Sequence, residues 1–260
     1  MPRQSAEIKA ATGLMALARR YPKGCGCVVI LLLLLALVIG AIYLVKLLRE
    51  RDNATATPPS TTTTTTNSGG GLPNMPNKPR PRNESFRGCP PEGDGGKRGL
   101  NLLKNRVDEG DYVPVAFDAI LSLSAENDVV ERYRGIPVAV EGYLAKARLQ
   151  GPESCNCHGA DDDAKDFHIW LTKNAGEDRE RSIVVEPSPV VRAKHPAWTL
   201  DNLNRFVKNR QRVRISGWLL LDPEHPDQIG KTRGTIWEVH PVMKIEVQQG
   251  GAWVNLDNWR

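Results

Sequence analysis

The chain contains a strongly apolar run of nineteen residues, Cys27 to Val45, without a single charge. A helix needs about twenty apolar residues to cross the hydrocarbon core of a membrane, where it bonds its backbone groups within its own segment. The run exceeds the apolar part of a cleavable signal, and no small-residue cleavage site follows before Lys46. We therefore predict an uncleaved transmembrane anchor over residues 25–48, with membrane lipid as its partner.

Basic residues on the two sides of the anchor predict its orientation. Five Lys or Arg residues precede the run and three follow it closely. The side with more of them usually faces the cytoplasm. We predict a single-pass protein of the cell membrane, with a cytoplasmic segment over residues 1–24 and an extracytoplasmic C-terminal domain.

The composition changes abruptly after the anchor. Thr, Pro, Asn, Gly and Ser dominate the next thirty or so residues, and Thr61 to Thr66 form an unbroken run. Such a segment buries too little apolar surface to fold alone. We predict a flexible stalk over residues 49–87 and a globular domain over residues 88–260.

The net charge of +5 is unevenly distributed along the chain. Residues 84–260 carry 24 bases and 27 acids, so the positive excess belongs to the segments that flank the membrane. A domain that binds double-stranded nucleic acid usually carries its positive excess on its own surface. The charge distribution therefore argues against double-stranded nucleic acid as a partner.

Hydrophobic periodicity predicts the elements of the globular domain. Helical spacing near Leu100 and again near Phe117 predicts two short helices, and apolar alternation predicts five strands after them. A helix over residues 199–211 separates the third strand from the fourth, and a short sixth strand follows Gly251. The predicted strands begin near Val138, Phe167, Ile183, Val213 and Trp237.

This element order is typical of an OB-like barrel, in which a helix lies between the third and fourth of five strands. The fold class is then all-β to α+β, and Gly142 and Gly217 ease the coiling of a small barrel. An open α+β sheet with the same elements is the alternative.

Three stretches of the domain resemble a group of uncharacterised bacterial membrane-anchored proteins with an OB-like domain. They are the run from Glu153 to His158, the triplet from Phe167 to Ile169, and the run from Thr235 to Val242. The resemblance covers roughly residues 98–250. It implies the fold and carries no activity, because none is known for that group.

Strand parity predicts a polar cluster. His168 on the second strand, and Glu238 and His240 on the fifth, point away from the apolar side of their strands. Asp222 and His225 precede the fifth strand and could join them. Two histidines and a carboxylate suit zinc or another divalent metal that activates water. The alternative is a set of polar residues that hold loops at one end of the barrel.

The cysteines of the domain offer a further candidate site. Cys155 and Cys157 with His158 could bind a soft metal, but an oxidising compartment favours a disulfide. Cys89 is then the partner of one of the two, since cysteines one residue apart bond each other only with strain. One thiol is left over.

The last candidate site is a binding face. Strand parity predicts that its side chains point outward, as do the ligand-binding aromatic side chains of many OB barrels. Outside the membrane, an envelope glycan or a protein partner is the available ligand. Alternatively, the tryptophans pack under the N-terminal helices. The candidates are Tyr143, Trp170, Arg212, Arg214 and Trp218.

The leading functional hypothesis is a binding or assembly module without a cofactor, displayed on the outer side of the membrane. The alternative is a metal-dependent hydrolase that uses the His/Glu cluster.

Overall fold

A computed structural model of the protein describes residues 71–260. The predicted cytoplasmic segment, the anchor and most of the stalk lie outside the described residues. Within residues 71–260, no helix is long and apolar enough to cross a membrane.

Five strands form the wall of a closed barrel. Each neighbouring pair is hydrogen-bonded, and the barrel closes because the first of these strands also pairs with the fourth. Only the pair between the third and fifth strands is parallel. The barrel strands are β2 (Pro137–Leu149), β3 (Phe167–Thr172), β4 (Ile183–Val185), β5 (Arg212–Leu221) and β6 (Trp237–Gln249).

The connections agree with the predicted OB-like barrel. Helix α5 (Leu200–Asn209) lies between β4 and β5, and the Thr199 hydroxyl caps it by accepting a hydrogen bond from the Asn202 amide. The predicted sixth strand is β7 (Ala252–Asn255), which pairs antiparallel with β6. The prediction of a closed five-stranded barrel is confirmed, and the open sheet is excluded.

Alternating apolar residues of the strands fill the barrel. Ile169, Ile215, Trp237 and Val239 are fully buried in one contiguous core, because every second side chain of a strand faces the same side. Gly217 lies where β5 meets β6 most closely. A Cβ atom there would lie 2.4 Å from the Pro241 carbonyl oxygen, so a side chain is excluded.

The segment before the barrel covers part of its outer surface. The two predicted short helices are present, and a third was not predicted, since its short sequence has only two apolar positions. The elements are α1 (Arg98–Lys104), β1 (Val113–Pro114), α2 (Phe117–Leu121) and α3 (Asn127–Tyr133). Helix α4 (Pro189–Arg192) follows β4.

Residues 71–87, which the sequence assigns to the stalk, contact the folded domain in the structure. Leu72, Met75 and Phe86 are partly buried against the hydrophobic core, and Asn83 forms a β-bridge with Arg106. Residues 71–87 therefore belong to the folded domain. The composition of this segment does not indicate the contact, because only three well-spaced apolar side chains hold the extended segment on the core.

Candidate metal centre

Polar side chains converge on the outer wall of the barrel, where β3, β4 and β6 lie side by side. His168 belongs to β3, and Glu238 and His240 belong to β6. Glu186 directly follows β4, and Asp166 directly precedes β3. All five side chains are buried, because α1 and the loop around the Ser154–Asn156 turn cover this part of the wall.

The carboxylate of Glu186 lies between the two histidines. Its Oε1 is 2.5 Å from His168 Nδ1, and its Oε2 is 3.0 Å from His240 Nδ1. His240 Nδ1 also lies 3.3 Å from Glu238 Oε1, and His240 Nε2 lies 3.6 Å from Asp166 Oδ2. One imidazole therefore has three carboxylates around it.

These contacts are short but poorly aligned for hydrogen bonds. Among the described residues, neither ring nitrogen of His168 or of His240 has a hydrogen-bond partner of acceptable geometry. The same holds for Asp166 Oδ2 and Glu238 Oε1. Buried polar atoms are nearly always paired, so a group of such atoms in one place is a candidate binding site.

A buried arginine extends the cluster towards the surface. The Arg233 guanidinium donates from Nη1 to Asp222 Oδ2 at 2.7 Å, and its Nη2 lies 3.7 Å from Glu238 Oε2. Asp222 Oδ2 also lies 2.7 Å from Nδ1 of His225, whose side chain is about a third exposed. The polar network thus runs from a surface histidine to the fully buried His240.

Burial and mutual repulsion perturb the carboxyl groups. Burial raises the pKa of Asp166 to about 7, although the charge of His240 opposes this. Burial and the charge of Glu186 raise the pKa of Glu238. Burial would also raise the pKa of Glu186, but the neighbouring charges of His168 and His240 hold it well below its ordinary value.

The basic groups hold their protons tightly. Burial lowers the pKa of His240, yet contacts with Glu186 and Glu238 and the charge of Asp166 outweigh it, raising the pKa to about 10. Lys104 donates to Glu153 Oε2 at 2.9 Å, and nearby carboxylates raise its pKa despite burial. Perturbed groups of this density are typical of functional sites.

Within residues 71–260, two groups of side chains have the donor atoms to hold a metal ion. The first is Asp166, Glu186 and His240, all buried, with ligand atoms within 4.8 Å of one another. The second is Glu153, Cys155 and Asp166, at the same spacing. In the second, Lys104 already pairs with Glu153, whereas the first combines an imidazole with two buried carboxylates.

A cleft of about 580 Å³ opens next to the cluster. It lies between α1, the loop before β3 and the loop after β5, and His168 and His225 both line it. The cleft gives a small ligand a route from solvent to the buried histidine.

The predicted polar residues do come together. His168, Glu238 and His240 lie in one cluster, and Arg233 connects them to Asp222 and His225. Asp166, Glu186 and Arg233 were missed. Asp166 shares the parity of His168, two positions away, which was a usable signal. Glu186 lies beyond the end of its strand, where parity no longer predicts direction.

The predicted binding face is largely covered. The Arg106 guanidinium lies over the ring of Trp218, with its Cζ atom 3.3 Å from the ring centroid. Only 1% of Trp218 is exposed. Trp170 packs beside His168 and is 4% exposed. Trp218 therefore packs beneath the N-terminal segment, as in the alternative left open from the sequence, whereas long side chains of neighbouring elements cover Trp170.

The remaining members of that face lie at the surface. Tyr143, Arg212 and Arg214 are partly exposed on β2 and β5, where Glu141 accepts hydrogen bonds from both arginines. The Arg214 guanidinium also lies 4.2 Å from the ring centroid of Trp253 on β7.

A disulfide links the N-terminal segment to the loop that contains the second group of candidate metal ligands. Cys89 is bonded to Cys157, with a Cα–Cα distance of 5.7 Å. The leftover thiol is Cys155, which is buried and lies 3.3 Å from Glu153 Oε2. Burial raises the pKa of this thiol far above its ordinary value.

Comparison with known proteins gives no identity. No protein-family model matches the chain, and no curated protein matches its sequence. The resemblance to uncharacterised bacterial proteins therefore stays a prediction, and function must be inferred from the site itself.

Proposed function

We propose that this chain is a membrane-anchored protein whose OB-like domain binds a divalent transition metal, such as zinc, at Asp166, Glu186 and His240. The observation that carries the proposal is the set of buried, short and misaligned contacts around His240. Carboxylates this close together repel one another, and a metal ion that replaces the proton of His240 satisfies several of them at once.

The distances support a metal of this kind. Zinc–nitrogen and zinc–oxygen bonds of roughly 2.0–2.2 Å place neighbouring ligand atoms of a tetrahedral site about 3.3 Å apart. In the proposed set, His240 Nδ1 lies 3.0 Å from Glu186 Oε2, and His240 Nε2 lies 3.6 Å from Asp166 Oδ2. Imidazole and carboxylate donors suit zinc, manganese and iron(II).

The position of the cleft favours a metal that takes part in chemistry. A metal with few protein ligands would keep an open coordination position for water, lower the pKa of that water and so supply a hydroxide that can attack an ester or amide. His168 lies between the metal candidates and the cleft, and Glu186 holds its Nδ1 atom. This arrangement supports a metal-dependent hydrolase.

A binding or assembly module on the outer side of the membrane is the second candidate. The partly exposed strip of Tyr143, Arg212, Arg214 and Trp253 favours it. Aromatic and arginine side chains on one surface suit an envelope glycan or a protein partner. Replacing Trp253 with Ala and measuring retention on purified envelope glycan tests this candidate.

Metal analysis of the purified full-length protein tests the proposal. After dialysis against metal-free buffer and reloading with zinc, we expect about one equivalent of bound zinc. The Glu186→Gln and His240→Gln variants should lose it, because each removes a ligand. His195→Gln is the matched control, since His195 also contacts a carboxylate, that of Asp257, at 2.6 Å.

A parent protein that binds no zinc, manganese or iron would refute the metal centre. Equal metal content in the parent and in both ligand variants would refute this choice of ligands. Protease added to intact cells tests the predicted topology: release of the domain supports an outward orientation, and protection until lysis reverses it.

A further inference from the structure

One nitrogen atom in the cleft has no explained role. His168 is 3% exposed and lines the cleft, and its Nε2 atom has no hydrogen-bond partner among the described residues. Its other nitrogen, Nδ1, lies 2.5 Å from Glu186, which fixes the side of the ring that faces the carboxylate. Nε2 is therefore the ring atom that is left without a partner at this wall of the cleft.

The walls of the cleft are rich in cationic groups. Lys97, Lys104 and Arg148 line it, and His225 lies on the same cleft as His168. The acidic residues of the cleft are already paired, Glu224 with Lys97 and Glu153 with Lys104.

Arg148 differs from these two lysines. Its side chain is exposed, and no carboxylate within residues 71–260 pairs with it. Its guanidinium donates only to the Leu149 carbonyl oxygen and lies 5.4 Å from the ring of Trp170. A planar, unpaired guanidinium beside a cleft suits the bidentate recognition of a phosphate or carboxylate.

From this arrangement we propose that the cleft binds the phosphate group of a small ligand or of a lipid headgroup, between Arg148 and the Nε2 edge of His168. A phosphate presents both donor and acceptor oxygens, and its tetrahedral shape can meet a guanidinium and a ring edge at once.

This inference rests on the proposed metal centre. Four buried carboxylates, those of Asp166, Glu186, Asp222 and Glu238, lie behind the cleft, and Arg233 and the protonated His240 balance part of their charge. The negative charge that remains disfavours an anion in the metal-free protein. A divalent ion offsets most of that charge, so the cations of the cleft then determine which ligand enters.

Titration calorimetry with inorganic phosphate tests the site. The probe is added to the full-length, zinc-loaded protein in phosphatidylcholine nanodiscs. We expect saturable binding that weakens at least about tenfold in Arg148→Gln, because a charge-assisted contact is lost. His168→Gln should also weaken binding, and removal of zinc by a chelator should weaken it further.

Matched controls make the result specific. Arg181→Gln removes an exposed arginine outside the cleft, and His195→Gln removes a histidine with its own carboxylate contact. Both should bind phosphate as the parent does. Since Arg148 is exposed, its variant should fold even if the His168 variant does not.

Two outcomes overturn the inference. If the zinc-loaded parent does not bind phosphate, the phosphate site is refuted and the metal centre is not affected. If the parent holds no metal, the metal centre itself is refuted. Unchanged affinity in Arg148→Gln refutes the assigned position. Phosphatidic acid added to the nanodiscs distinguishes the sources: competition with free phosphate identifies a lipid headgroup, and its absence identifies a soluble phosphate compound.

Discussion

Replacing Arg233 with Met tests whether the buried network is held together by charge. The guanidinium is 1% exposed and contacts Asp222 at 2.7 Å and Glu238 at 3.7 Å. Both carboxylates are nearly fully buried as well. Methionine has a similar length and fills the space, so the substitution mainly removes a positive charge and leaves each carboxylate with only a histidine nearby.

The expected cost is large. Removing one partner of a buried ion pair costs about 3–5 kcal/mol, because the remaining charge is neither paired nor hydrated. In a domain of this size, each kcal/mol lowers Tm by about 2–4 °C, so we expect a decrease of roughly 10 °C. The surface pair of Arg181 with Glu177 provides the control, since Arg181→Met should cost less than about 1 kcal/mol.

Urea denaturation of metal-free protein measures both variants. Adding Asp222→Asn to Arg233→Met should recover part of the lost stability, because the uncharged amide replaces one of the two carboxylates that have lost their guanidinium. A double-mutant cycle then gives the coupling between the residues. An Arg233→Met variant within about 1 kcal/mol of the parent would contradict the reasoning, and so would a double variant no more stable than Arg233→Met.

Three further predictions concern the barrel and its cover. Trp237→Ala should cost about 3–5 kcal/mol in a thermal melt, since it empties a fully buried site; a variant as stable as the parent would contradict the strand register. Gly217→Ala should cost about 1–3 kcal/mol through overpacking, while Gly99→Ala, with free space around it, should not destabilise. Peptide mapping without reductant should recover Cys89 joined to Cys157, and reduction should lower stability by roughly 4 kcal/mol; any other pairing contradicts the structure.

The barrel was predictable because its information is local. Alternation from Phe167 to Leu171 and again around Ile215 identified strands and their buried sides, and Thr199 marked the start of α5 through its capping hydroxyl. These signals depend on neighbours within a few residues. They needed no knowledge of which strands pair.

The full cluster was not predictable, since it depends on pairing between distant segments. The parallel alignment of Val185 with Val239 brings Glu186 next to His240, more than fifty residues away. Sequence periodicity contains no information on that alignment. The burial of Trp218 was not predictable for the same reason. Strand parity correctly predicts that its side chain points outward, but it does not predict that Arg106 covers the ring.

The polar cluster and the apolar core lie in different parts of the barrel. Buried charges usually stabilise a protein less than apolar residues of the same size would, so a cluster kept at this cost indicates a role in function. It lies on the outer wall of the barrel, under α1, whereas the apolar core lies inside. Glu186→Gln breaks buried contacts with both histidines, so it should lower Tm as Arg233→Met does. It should also remove bound metal below that Tm, where the barrel is still folded, and this difference separates a metal ligand from a residue that only supports the fold.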